Sequence, residues 1–181
     1  MTSKIKIIVA VSENNVIGHN GEIPWRIPAE MQFFKETTTG HAVVMGYKTW
    51  KSILPFNKSG YLKERDNYVL SRDPTKASKL NGEYGTEIPH PMLTFSSYFD
   101  IVQKKQWLLS TSTNSDIFVI GGYEIYKKYL DEDVVDEIII SRIKMKFKGD
   151  TTFPDIDNNK WTLLSVENRQ FFDILHYQRA R

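Results

Sequence analysis

The sequence contains no cysteine, which excludes disulfides and thiolate metal sites outright. Long apolar runs are missing too. The early run Ile7 to Val11 is far below the ~20 residues that span a bilayer, and it lacks the small-residue cleavage pattern of a secretory signal. Neither sign of charge is in excess: 24 Lys and Arg stand against 22 Asp and Glu, a net charge of +2. Neither nucleic acid nor an anionic membrane is therefore an expected partner. His19, His41, His90 and His176 show no metal-ligand spacing, so no metal is expected. No Gly-rich phosphate loop carries a lysine and no G-x-S-x-G turn occurs, which leaves covalent serine chemistry without support. Repeats, low-complexity tracts and Gly/Ser linkers are also absent. The reading is a cytoplasmic protein folded as one domain over residues 1–181.

What is present is ordinary globular composition, with 40% hydrophobic, 25% charged and 13% aromatic residues. Short apolar runs predict strands at 6–11, 42–45, 67–71, 92–95 and 117–121. Helical patterns separate most of them, at 28–38, near 47–53, near 97–109 with Ser96 or Ser97 at its start, and at 123–130. Such alternation, with nearly continuous apolar strands, implies an α/β fold with a central, mainly parallel mixed sheet flanked by helices on both faces. The last third reads differently. "EIIISRIKMKF" (137–147) predicts a long strand whose lysines from Lys144 to Lys148 line a solvated face. "WTLLSVE" and "FFDILHYQR" then suggest a C-terminal antiparallel hairpin at a sheet edge. Residues 72–91 carry no periodic pattern and read as a surface excursion.

One helix poses a chemical question. Pro28 suits a first turn, where its missing N–H would be unpaired in any case. At about 100° per residue, Glu30 falls on the arc of Phe33, Phe34 and Met31, while Gln32, Lys35 and Glu36 lie opposite. A carboxylate in an apolar arc is paired, neutralised or used. It can also favour the helix dipole from the first turn and reach back to water. The helix alone leaves both readings open.

Two strand-to-helix junctions carry glycines. A buried strand ends in Gly121-Gly122 and a helix begins at once; "VVMGYKTW" repeats the pattern with Gly46, Lys48 and Thr49. Glycine lets backbone approach a ligand closely, and helix starts offer free N–H groups to phosphate. Together they make a dinucleotide-sized anion site plausible, although neither fits G-x-G-x-x-G. The loop "SENNVIGHNGEIPW" (12–25), rich in Asn and Gly beside this region, reads as a deformable lid.

The segments "VIG", "PWRIPAEMQFFK", "VVMGYKTWKSI", "LKERDNYVLSR", "VIGGYEIY" and "GDTTFP" occur in one order from about Ile5 to Gln178. In that order the chain resembles dihydrofolate reductase. The resemblance implies NADPH-dependent reduction of 7,8-dihydrofolate to tetrahydrofolate, with hydride to C6 and a proton to N5, by a monomer. It implies that Glu30 pairs with the pteridine N3–H and 2-amino group, with Trp25 and Tyr126 beside it in the catalytic set. Folate-lining positions are then Ile8, Val9, Met31, Phe34, Ile53, Leu62, Ile120, Tyr126 and Ser141, and Arg65 grips the α-carboxylate of the glutamate tail. On the cofactor side fall Ala10, Ile17, Gly18, Trp25, Gly46, Lys48, Thr49, Ser71, Arg72 and Ile120. The turn Gly121, Gly122, Tyr123, Glu124, Ile125 and Tyr126 joins them, with a cis peptide between the glycines.

Departures from the family pattern fall on the cofactor and tail sites. Tyr47 and Glu124 stand where basic residues are frequent near the cofactor's 2′-phosphate, which bears on the strictness of NADPH preference. Glu64 replaces a frequent Gly before Arg65. A pyrimidine reductase of riboflavin synthesis would share fold and cofactor but not the "PW…PAE" segment. A catalytically silent relative would have no reason to keep Glu30, Trp25 and Arg65 together.

Overall fold

In the computed structural model, residues 3–57, 59–73, 75, 76, 79, 83, 93–97 and 115–180 are described, 93–97 by backbone alone. The first half holds β1 (Ile5–Val11), β2 (Val16–Gly18), α1 (Pro28–Thr38), β3 (Ala42–Gly46), α2 (Tyr47–Ile53), β4 (Asp66–Ser71) and β5 (Leu93–Ser97). The second holds β6 (Ile117–Gly121), α3 (Tyr123–Asp131), β7 (Glu137–Ile143), β8 (Thr151–Thr152), β9 (Trp161–Asn168) and β10 (Phe172–Arg179). The main sheet has eight strands in the order β5-β4-β3-β6-β1-β7-β10-β9. From β5 to β7 every pairing is parallel, and β10 runs antiparallel to both β7 and β9. This is the mixed sheet with a C-terminal edge hairpin that the patterns imply.

Strand residues alternate between two cores because both faces of the parallel strands are covered. Ile8, Val43, Met45 and Phe118 pack with Trp50 of α2 and with Phe33 and Phe34 of α1. Ile7, Val9, Val44 and Val119 pack on the other face with Ile125, Tyr126 and Tyr129 of α3. Hence the strands read as unbroken apolar runs rather than as alternating ones.

Three expectations meet a different outcome. The long strand pattern from 137 stops at Ile143, because the partner strand β10 begins at Phe172, paired with Ile143. Lys144 to Phe147 therefore leave the sheet instead of forming a solvated strand face. Lys144 pairs with Asp173 at 2.9 Å, and the Phe147 N–H donates to Asn14 Oδ1 at 3.0 Å. Ser96 and Ser97, expected to open a helix, belong to β5 opposite Leu70 and Ser71. Residues 98–109 lie outside the described residues, as do His90 and most of 72–91.

A charged cluster occupies the start of the central strands. Lys6 of β1 sits opposite Glu137 of β7, and its ammonium lies 3.0 Å from that carboxylate and 2.8 Å from Asp116. Lys4 and His176 also reach Glu137. Burial alone would raise the Glu137 pKa, but the hydrogen bonds from Lys4, Lys6 and His176 outweigh it and hold the carboxyl at about 2. A depressed carboxyl stabilises the fold above its unfolded pKa and loses that contribution as pH falls through the folded value. Glu137→Gln should therefore cost about 1–3 kcal/mol at pH 7, below a fully buried pair because Lys4 is partly in water. The difference from wild type should shrink as pH falls from about 4.5 towards 2, the interval between the ordinary and the depressed carboxyl. Urea unfolding across that range measures it; a gap independent of pH would mean the cluster stabilises by packing alone.

Candidate active site

The site lies where Glu30 of α1 meets Ser141 of β7, on the face of the sheet that Ile8 of β1 shares with Phe33 and Phe34. Pro28 stands at the first helical turn with Glu30 just behind it, and no side chain caps the helix start. Glu30 is half-buried, with Phe33 and Phe34 half-buried on the same helix, whereas Gln32, Lys35 and Glu36 face water. Met31 departs from the apolar arc: its side chain is 54% exposed, which puts it at a rim rather than in a core. Burial pushes the Glu30 carboxyl above the ordinary carboxylate range, and the Ser141 hydroxyl works in the opposite direction. Ser141 is fully buried, and its Oγ falls short of hydrogen-bond geometry with any partner among the described residues. The buried Ser141 hydroxyl and the half-buried carboxyl are thus neighbouring polar groups in an otherwise apolar surrounding.

Tyr126, buried at the start of α3, donates its hydroxyl to the Ile8 carbonyl at 3.0 Å. Burial, and then the charge on Glu30, pushes its phenol pKa far up, so Tyr126 remains a neutral donor. Ile8, Phe34, Ile53, Leu62, Ile120, Trp25 and Ala10 gather in the apolar cluster of this face. The side chain of Val9 does not join them. It points into the opposite core with α3, as strand alternation requires, and only its backbone remains on the site's side.

Arg65 sits beyond the far end of α1, buried to 8% exposure. Its Nε–H donates to Thr38 Oγ1 at 2.9 Å and Nη1 to the Lys63 carbonyl at 2.8 Å. Nη2 donates to the Lys35 carbonyl at 3.2 Å and to Thr39 Oγ1 at 3.3 Å. Those bonds satisfy the Lys35 carbonyl at the end of α1 and the Lys63 carbonyl, and use most of the guanidinium's donors, so a bidentate carboxylate would have to displace one of the longer ones. Asn67, wholly buried, fixes the approach: its side chain bonds Leu62 N–H, Leu62 C=O and the Arg65 carbonyl, each at 2.9 Å. Thr38, Thr39 and Asn67 escaped the sequence reading. A polar side chain that supports another residue's geometry carries no spacing signal of its own.

The two glycine junctions meet in space, since β3 and β6 are neighbours in the sheet. A Cβ on Gly46 would lie 3.0 Å from Ile125, and one on Gly122 would lie 3.2 Å from Thr49 Oγ1. The Gly121-Gly122 peptide is cis, and Gly121 has φ +119°. Gly122 leads into α3 without a side-chain cap, so the first N–H groups of that helix remain available. Backbone brought this close, beside free N–H groups at the carboxyl ends of parallel strands, suits a dinucleotide pyrophosphate. Around it stand Thr49, buried Ser71 and Ile125, with Tyr123 partly exposed and Lys48, Arg72 and Glu124 in water. Arg72 and Glu124 pair at 3.6 Å.

Loop 12–25 is more tethered than its composition suggests. β2 pairs with β8, and the Asn14 amide exchanges hydrogen bonds with the Phe147 backbone. Asn15 donates to the Phe153 carbonyl, and the Asn20 N–H donates to Asp150. Asparagines that read as flexible act as clamps. Trp25 packs on Phe147 with ring centroids 5.1 Å apart, Ile17 packs against the α3-side core, and Gly18 accepts a bond from the Asp150 N–H.

A half-buried carboxyl on one face of the sheet, with two glycine junctions side by side at the ends of parallel strands, is an arrangement suited to an α/β protein that binds a dinucleotide. A sequence profile for dihydrofolate reductase matches residues 4–179, and the chain belongs to that family. It is 32% identical over 164 residues to dihydrofolate reductase of Staphylococcus haemolyticus, covering 91% of this chain and 84% of that protein. To dihydrofolate reductase HdrB of Haloferax volcanii it is 30% identical over 176 residues, covering 97% and 83%. The fold matches dihydrofolate reductase from Enterococcus faecalis, solved with NADP(H) and RAB-propyl, at a TM-score of 0.73 and 21% identity over the whole of both chains. The chain is an NADPH-dependent oxidoreductase that converts dihydrofolate to tetrahydrofolate.

Gly121→Ala tests the crevice. The added Cβ would meet the Tyr126 ring and hydroxyl at 3.2–3.3 Å from a backbone conformation that favours glycine. The variant should lose roughly 1–3 kcal/mol of stability and weaken cofactor binding, read by thermal unfolding and by tryptophan fluorescence titration. Unchanged values in both would show that this close approach is not required.

Proposed function

We propose that Glu30 is the pteridine's partner and that the other site residues serve it. The observation that carries this reading is the half-buried Glu30 carboxyl, raised in pKa, beside an unsatisfied Ser141 hydroxyl in an otherwise apolar cluster. A pteridine offering N3–H and a 2-amino group supplies two donors to a carboxylate, which removes the cost of burying it. The site's own glycines and free helix N–H groups fit NADPH, which when bound supplies hydride for C6. Glu30 organises the proton that N5 must gain, through water at its carboxyl. Trp25 excludes bulk water from that region, Ile17 lies on the cofactor side, Ile8, Phe34, Ile53, Leu62 and Ile120 pack the flat ring, and Met31 borders the entrance. Tyr126 holds the Ile8 backbone at the correct height. Arg65 takes the glutamate α-carboxylate, and Ala10, Gly18, Gly46, Lys48, Thr49, Ser71, Arg72 and the turn from Gly121 to Tyr126 hold the cofactor. The chain works as one domain and a monomer in the cytoplasm, without nucleic acid.

Glu30→Gln tests the central role. The amide keeps the size but presents a donor where the pteridine needs an acceptor, so the hydride step should slow by about 10²–10⁴. The raised pKa fixes the sign for stability: folding favours the neutral form, so wild type loses stability as pH rises through the folded value of Glu30. The Gln variant should thus be at least as stable at pH 7 while nearly inactive. In wild type the step should slow as pH rises, and the mutant should lose that dependence on Glu30. Pre-steady-state NADPH oxidation across pH, beside thermal unfolding, gives both readouts. A variant with the wild-type rate and pH curve would return Glu30 to a solvent-seeking surface role.

For Arg65→Leu, folate affinity should fall by roughly 2–5 kcal/mol, because a desolvated carboxylate loses its charged partner. Turnover at saturating substrate should fall much less. Part of the loss should appear as reduced stability, since Lys35 and Lys63 carbonyls lose a donor. Intact folate affinity with a collapsed hydride step would contradict the assignment.

A further inference from the structure

The order of strands ranks positions along the crevice. The lid and Ala10 lie at the end of β1, the glycine junction lies at the ends of β6 and β3, and β4 is next outward. A dinucleotide with its nicotinamide under the lid and its pyrophosphate on the glycines must place its adenosine half by the end of β4, at Ser71 and Arg72. NADPH differs from NADH there by one ribose phosphate, so a preference for NADPH needs cations at that end.

Tyr47, which occupies the first position after Gly46, offers no charge, but it gathers charge. Lys76 Nζ lies 3.8 Å from the centre of its ring and Lys51 Nζ 5.9 Å from it. Trp50 packs beside that ring at 5.6 Å and fixes it. The backbone of Lys76 is anchored as well. Buried Ser71 accepts the Asp73 N–H at 3.1 Å, and Asp73 Oδ1 accepts the N–H groups of Thr75 at 2.9 Å and Lys76 at 3.2 Å. A relay of side chains thus runs from the end of β4 to Lys76. Among the described residues neither Lys51 nor Lys76 is paired with a carboxylate, whereas Arg72 is shared with Glu124. A cation held over a ring, with no carboxylate paired to it among the described residues, is available to an anionic ligand.

We propose that Lys76, held on the Tyr47 ring, recognises the 2′-phosphate of NADPH and sets the preference over NADH, with Tyr47 as its positioning residue. The proposal rests on the reading of the crevice as the cofactor site. It makes Lys76, anchored through Ser71 and Asp73, a specificity element and compensates for the neutral residue at position 47. Glu124, by contrast, holds Arg72 and lowers the positive charge available to the phosphate.

The test measures kcat/KM for NADPH and for NADH with dihydrofolate in wild type, Lys76→Ala, Lys76→Arg and Tyr47→Leu, together with NADP⁺ and NAD⁺ binding by tryptophan quenching. Lys76→Ala should lower kcat/KM and affinity about 10- to 100-fold for the phosphorylated cofactor, the size of one charged hydrogen bond, and leave NADH and NAD⁺ unchanged. Lys76→Arg should restore most of the preference, and Tyr47→Leu should reproduce a smaller loss in the same direction. Equal losses with both cofactors, or no loss with either, would overturn the role of Lys76. A wild type that binds both dinucleotides but reduces no dihydrofolate would overturn the function beneath it and leave the phosphate preference standing on the binding data.

Discussion

Burial of both faces of the parallel strands β1, β3, β4 and β6 is the constraint from which the rest follows. Their connections must cross over the sheet, so α1 and α2 cover one face and α3 the other. The crossovers leave the carboxyl ends of the strands facing a crevice. β3 and β6 lie side by side there, and each passes into a helix through glycine, which allows the helix starts to close on one another. A binding site at that end is a consequence of the topology, and the residues at it decide what binds.

Within this scaffold Glu30 is placed against the interest of stability. Its carboxyl is raised in pKa because burial penalises the charge and Ser141 offsets it only in part. The Glu137 cluster shows the contrasting case, in which cations surround a carboxyl and hold its pKa at about 2. One carboxyl is satisfied by cations within the fold, and the other has only Ser141 against the effect of burial. Arg65 is buried as well, and its donors brace the end of α1.

The loop over the crevice follows a similar economy. Its asparagines clamp it to residues 147–153, so the loop is braced from a distant part of the chain. A side chain added at Gly149 would lie 2.2 Å from Val16, which keeps the two loops in close register.

Local pattern carried much of this protein. Strand and helix spacing, the glycine junctions and the misplaced carboxylate at Glu30 were all legible, because each depends on residues a few positions apart. The resemblance to dihydrofolate reductase rested on such short segments in order. What the chain alone could not settle depends on partners far away in sequence. The strand pattern at 137–147 continued past Ile143, but strands end where their neighbours end, and β10 decides that. Met31 lies on an apolar arc yet faces outward, and Val9 sits next to Ile8 yet points into the other core. Asn67, Thr38 and Lys76 are held by contacts across loops that no periodicity encodes. Sequence determines which elements form because propensity and burial act locally; the tertiary structure decides which side chains meet, because hydrogen bonds and ring contacts depend on distances that only packing sets.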